Sequence, residues 1–271
     1  MRVTRLGHWV FAVSFAGLGV LSLGSGDFAL VWQPVPAWVP GRTYLAYASG
    51  LVLFAAGIGM LVERTARLAT LVMTVNLLLW LLLLRLPRVA MHPTSEGMWL
   101  GFGETLVLVV GGWLLLAAQD DGREAKPDSG LRAPRMLYGI ALPLIGLSHF
   151  VYASDTAALV PAWLPWRMGF AYLGGAGHIA AGLGILFAVF PRLAATLEAA
   201  MLSLFTLLVW VPPAAAAPAS RFQWTALLVS AAMTGAAWAV AGSLQGAAWG
   251  QVGWTSRRVV AAQDEGKAAA V

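Results

Sequence analysis

Eight stretches of about twenty residues follow one another with almost no charge inside them, at 6–25, 43–63, 67–86, 97–118, 135–153, 168–190, 192–212 and 222–244. A helix rises 1.5 Å per residue, so crossing a hydrocarbon layer of about 30 Å takes roughly 20 apolar residues. Each stretch is apolar all round, whereas a helix of a soluble bundle keeps a polar face at the 3.6-residue period. A soluble helical protein would also need charge to cover its outside. Only 11% of this chain is charged and 59% is hydrophobic, against about 25% and 45–50% in soluble domains. The pattern predicts an all-α fold, a polytopic transmembrane helical bundle of eight helices with the lipid bilayer as its solvent.

The net charge of +5 does not point to nucleic acid, because the basic residues stand singly at the ends of apolar runs instead of clustering on a polar segment. Their distribution predicts orientation. With eight spans, twelve of the 17 Lys and Arg fall on the side of the two termini and five on the other. The positive-inside bias then puts both termini in the cytoplasm of a bacterial-type inner membrane. The absence of cysteine removes disulfides, thiolate metal sites and thiol redox chemistry. Arg2 and Arg5 ahead of Leu6 imitate a signal peptide, but no A-x-A-like site follows and a corresponding helix recurs later, so the segment is read as a retained helix.

One polar stretch, 119–134 (QDDGREAKPDSGLRAP), has the charge and Pro/Gly content of a cytoplasmic linker. It divides the chain into units at 1–118 and 135–246, followed by a tail at 247–271 expected to be disordered. The units repeat. VPAWVPGRTYLAYASG from Val35 matches VPAWLPWRMGFAYLGG from Val160 at a shift of 125 residues, and the register continues from Arg67 to Arg192, Pro87 to Pro212 and Trp99 to Trp224. A register held over so many positions reads as a duplication. Four spans per copy is even, so both copies enter from the same side, giving two parallel four-helix repeats.

In VPAWxPxR, between the first two helices of each unit, prolines bracket a tryptophan. Proline fixes the backbone and stops a helix, and indole sits at the headgroup level. The motif is a stiff interfacial turn anchored by Trp38 and Trp163, or a portal in which Arg42 and Arg167 face an anionic group. Glycine and alanine crowd the second helix of each unit, and in lipid small residues let helices approach closely.

Polar groups inside spans carry more information, since an intramembrane charge costs at least about 2.5–3.5 kcal/mol on the insertion scale. These are Asn76, Glu104, His149, His178 and Glu198. Helical rise puts His178 and Glu198 at similar depth on neighbouring antiparallel helices, within reach if their faces meet. Their counterparts are Leu53 and Met73, while Asn76 and Glu104 correspond to Met201 and Val229. This asymmetry predicts one composite site between the halves in which Glu and His exchange a proton, or else hydrogen bonds that hold the bundle together. No metal-ligand spacing occurs, and Asp27 and Asp155 read as turn residues or helix-end hydrogen-bonding groups.

The stretch VPAWLPWRMGFAYLGGAGHIAAGLGILFAVFPRLA resembles the DoxX-like membrane proteins, in which a Pro-bracketed loop leads to a Tyr-x-x-Gly helix, a Gly-rich segment and an Arg-x-Ala helix start. The first unit carries a weaker version, so the resemblance covers each half and implies a tandem form of a single-unit protein. Family members often carry an acidic residue where His178 stands, and often end the third helix with Pro-Ala-Asn, which here reads Pro87-Arg88-Val89 and Pro212-Pro213-Ala214. The resemblance implies a membrane component or accessory holding a lipophilic ligand between its halves. Some relatives resemble subunits of quinone-linked oxidoreductases, which would bring a quinone and a redox partner protein. A small-solute transporter is the remaining alternative. The sequence assigns no catalytic residue and no other cofactor.

Overall fold

In the computed structural model, residues 2–119 and 129–254 are described. All their principal elements are helices: α1 (Arg2–Ser25), α2 (Arg42–Leu61), α3 (Ala66–Trp80), α4 (Leu86–Met91), α5 (Glu96–Ala118), α6 (Ser129–Val151), α7 (Ala153–Leu159), α8 (Arg167–Leu186), α9 (Pro191–Phe205), α10 (Val211–Ala216) and α11 (Arg221–Ser243). Among the described residues seven helical segments are long and apolar enough to cross a membrane. An eighth, α6, passes only together with α7, across a bend of 94°. Arg135, Pro143, Ser148 and His149 dilute its apolar character. Such a set of helices fits a multi-pass membrane protein.

The third and seventh spans outrun the sequence expectation, covering Ala66–Met91 and Pro191–Ala216. Pro87 and Pro212 read as stops, because proline lacks the N–H and its ring clashes with the carbonyl four residues back. A π turn precedes each, at Leu81–Arg85 and Thr206–Trp210, and this wider turn absorbs the misfit so the helix runs on. The expected linker is shorter, because α6 begins at Ser129. Residues 120–128 and 255–271 lie outside the described residues. Residues 247–254, expected as the start of a disordered tail, fold back: the Phe190 N–H donates to Gln251 O (2.8 Å) and the Gly253 N–H to Ala188 O (2.9 Å).

The spans form a closed ring in which α1, α2, α3, α5, α6, α8, α9 and α11 each pack on the next and α11 returns to α1, with α5 and α11 touching across the middle. The fourth long helix of each half thus packs on the first helix of the other. Glycines permit the closest crossings. A Cβ on Gly146 would sit 2.6 Å from Gly175 O, and one on Gly182 would sit 2.8 Å from Gly139 O. These four glycines join α6 to α8. Gly7 and Gly235 do the same for α1 and α11, at 2.7 Å.

Elements α2 to α5 and α8 to α11 begin and end at a constant offset of 125 residues, π turns included. Small contacts follow the same offset. Trp99 Nε1 donates to Pro93 O at 2.8 Å, and Trp224 Nε1 donates to Pro218 O at 2.9 Å. Gly41 and Trp166, each preceding an arginine that opens a helix, both adopt left-handed backbone, with φ of 64° and 52°.

Candidate functional site

Within the apolar bundle, α6, α8 and α9 bring His149, His178 and Glu198 together. His178 faces inward from α8 and Glu198 from α9, each 1% exposed, and His178 Nδ1 meets Glu198 Oε1 at 2.8 Å. This is the contact the helix register predicts. His149, near the end of α6, points its ring edge at the His178 ring with centroids 5.2 Å apart. Its Nδ1–H donates to Ala171 O at 3.2 Å, and the Phe205 ring stacks on its other face at 6.2 Å. A bond to a carbonyl requires the proton on Nδ1, leaving Nε2 as the acceptor in the neutral ring. The second carboxylate oxygen, Glu198 Oε2, is buried without a hydrogen-bond partner. The Tyr138 hydroxyl on α6, also buried and unpartnered, is within electrostatic reach of Glu198.

Glu198 forms part of the wall of a cleft of about 540 Å³ between α8 and α9. The remaining lining is apolar and includes Gly177, Leu183, Phe187, Leu197 and Met201. Leu183, Phe187 and Leu197 are also exposed on the outer surface of the bundle, so the cleft opens on its side. It therefore lies inside the second half, not between the halves as expected. Gly177 keeps it open, since a Cβ there would meet Met201 Sδ at 2.9 Å. The turn closing one end, 187–190, holds Ala188 and Phe190 in left-handed backbone. The 247–254 segment secures it, with Trp249 under the Arg192 guanidinium, 4.1 Å from ring centroid to Cζ.

The other predicted residues lie apart. Glu104 on α5 faces Arg85 and the Trp32 indole. Asn76 is on α3, which packs on α2 and α5, with its Nδ2 buried and unpartnered. The composite set thus divides into a His149–His178–Glu198 group and a Glu104–Arg85 group. Arg85, which the charge distribution assigns to the outer end of the 67–86 span, has a role of its own. It is 7% exposed, in the π turn, and Nη2 donates to Val31 O and Trp32 O, both at 3.1 Å. The signal was there: four leucines precede this arginine without a break.

In the portal motif Trp38 and Trp163 are exposed at 80% and 70%. The arginines are engaged in the loops themselves. Arg167 donates to Ala157 O (3.1 Å) and Ala158 O (2.9 Å). Arg42 pairs with Asp27 at 2.5 Å and lies over the Phe28 ring. Asp27 is more than a turn residue, because Arg221 at the start of α11 approaches its other oxygen at 3.4 Å. Burial opposes ionisation of this carboxyl, but the Phe28 N–H, Arg42 and Arg221 outweigh it and hold the pKa below the ordinary 3.8. A folded-state pKa below the unfolded one gives stability that is present above the unfolded value and lost as pH falls through the folded one. Asp27→Asn is expected to lower the melting temperature at neutral pH, with the gap to wild type closing as the pH falls below the ordinary aspartate range. Melting curves of both proteins across that range test this, and a gap that persists in acid would assign the effect to shape and not to charge.

No known family model, curated protein or solved structure matches the chain.

Proposed function

We propose that this chain is an inner-membrane protein of two DoxX-like four-helix units, with cytoplasmic termini, that holds a lipophilic ligand in the cleft between α8 and α9. The observation carrying the reading is an apolar cleft of about 540 Å³, open on its side, whose one polar lining side chain is Glu198. That volume falls in the range of small-molecule sites, about 300–1,000 Å³, and an apolar lining with one convergent polar group is their usual composition. The common offset of helix ends and of the Trp99 and Trp224 hydrogen bonds supports the duplicated unit. The residues at the matching positions of the first half are larger or apolar. Val52, Leu53 and Met73 occupy the positions of Gly177, His178 and Glu198, with Leu53 and Met73 both 0% exposed. Side chains in the first half thus fill the positions that frame the cleft in the second.

The test compares what remains bound after gentle detergent extraction of wild type and Gly177→Val, which gives the second half the residue of the first. Mass spectrometry of the purified proteins is expected to find a lipophile on wild type at several times its level on the variant. Equal ligand profiles would overturn the proposal.

A second reading, the membrane subunit of a quinone-linked oxidoreductase, draws on the 2.8 Å contact between His178 Nδ1 and Glu198 Oε1, a pair able to pass a proton. In that case the retained lipophile is a quinone and electrons come from a partner protein. The transporter reading needs a polar path from Glu104 to Glu198. Val107, Val110, Leu142, Ile145, Val229 and Met233, all buried, fill the interfaces around α5 that such a path would cross.

A further inference from the structure

We infer that the occupant of the α8–α9 cleft is a neutral long-chain lipid bearing a hydroxyl group, which donates a hydrogen bond to Glu198 Oε2. This rests on the reading of the cleft as a lipophile site and names the chemistry that the site selects.

The polar end of the ligand is set by what Glu198 has left to offer. Its Oε1 is engaged with His178 Nδ1 at 2.8 Å, whereas Oε2 is buried with no partner. If the carboxylate is ionised beside a protonated His178, Oε2 is an acceptor. If the proton sits on Oε1 and is shared with neutral His178, Oε2 is a carbonyl-type oxygen and again an acceptor; only a proton on Oε2 itself would make it a donor, and that form would hold an ether as well as a hydroxyl. A buried acceptor without a donor is costly, so a ligand that supplies an O–H gains more than one that cannot.

Charged headgroups fit poorly. The lining contains no Lys or Arg, so a phosphate or carboxylate would meet a carboxyl group and no counter-charge. A cation is not called for either, because it would have to compete for Glu198 with His178, whose Nδ1 already meets Oε1 at 2.8 Å. Depth argues the same way. Glu198 stands seven residues into α9, about 10 Å along the helix, where a permanent charge is expensive and a hydroxyl is cheap.

The entry route follows from the ends of the cleft. The 187–190 turn, held by the Phe190–Gln251 and Ala188–Gly253 hydrogen bonds, closes the end near the α8–α9 connection. The side toward lipid is open, so the ligand enters laterally from the bilayer. Glu198 lies at the floor, and Met201, one helical turn further along the same face, is the flexible side chain that moves aside for the headgroup.

The probes are 4-dodecylphenol and its methyl ether, which share a shape and differ in the donor. Each is titrated into the full-length protein in detergent, and bound fractions are read by native mass spectrometry. Wild type is expected to bind the phenol about tenfold more tightly than the ether, the scale of one hydrogen bond to a carboxyl group. Glu198→Leu should erase the preference. Because that change strands His178, the double variant His178→Leu/Glu198→Met, matching Leu53 and Met73, is measured beside it with the same expectation. Gly177→Val should weaken both probes equally while leaving Glu198 in place. Equal binding of the two probes by wild type, abolished by Gly177→Val, would overturn the hydroxyl inference and leave the lipophile site standing. A preference that survives both Glu198 variants would also overturn it. Failure of both probes to bind wild type would bring down the lipophile reading as well.

Discussion

Gly146→Leu is expected to prevent assembly of the bundle, yielding aggregated protein where wild type elutes as a single species. At the α6–α8 crossing a Cβ on Gly146 would lie 2.6 Å from Gly175 O, and one on Gly175 would lie 2.8 Å from Gly146 O. The obstacle on each side is backbone, which cannot rotate away. Overpacking of this kind costs about 1–3 kcal/mol where side chains can yield, and more where they cannot. In lipid there is no hydrophobic drive between helices to compensate, because close packing is itself the force that joins them. The crossing also carries the site: the same Cβ on Gly146 would press on His178 Cβ at 3.1 Å. The control is Gly130→Leu on the same helix, where nothing lies within 4 Å. Size-exclusion profiles and denaturant midpoints of the two variants decide the matter, and similar values for both would show that α6 and α8 do not cross through these glycines.

His178→Leu is expected to destabilise the protein, by about 1–3 kcal/mol if the stranded carboxyl group is neutral and about 3–5 kcal/mol if it is charged. Glu198 would be left 1% exposed with neither oxygen hydrogen-bonded. Adding Glu198→Met should restore stability to within about 1 kcal/mol of wild type, because a buried pair replaced by apolar groups of similar volume is often neutral. The first half supplies the precedent: Leu53 and Met73, both 0% exposed, fill the corresponding positions. Denaturant unfolding of the two single variants and the double provides the cycle. If the double variant were as unstable as His178→Leu, the pair would not be the reason for the loss. The rescued protein is expected to be empty of ligand, which separates the part the pair plays in binding from its part in folding.

What the residues disclose without a structure follows from how local each determinant is. An apolar run is local, so the positions of the spans were legible, and the pairing of His178 with Glu198 needed only helical rise and neighbouring helices. Helix ends were less so. Pro87 and Pro212 signal termination, and nothing in the adjacent leucines and valine announces the π turns that carry the helices past them. The cleft was invisible because it is made by a missing Cβ at Gly177, a left-handed turn at Ala188 and Phe190, and a segment sixty residues further on. The partners of Arg85 and Asp27 are hidden for a related reason. Each bonds groups distant in the chain, the backbone of residues 31 and 32 in one case and Arg221 in the other.

The packing of α11 on α1 gives the molecule a further property. Gly242, near the end of one helix, lies against Thr4, near the start of the other, so the last long helix finishes beside the beginning of the first. A chain that started at α6, ran to α11 and continued through α1 to α5 would draw the same set of neighbours. Such a permuted chain, joined between α11 and α1 and opened between α5 and α6, is expected to keep the helix contacts of the ring.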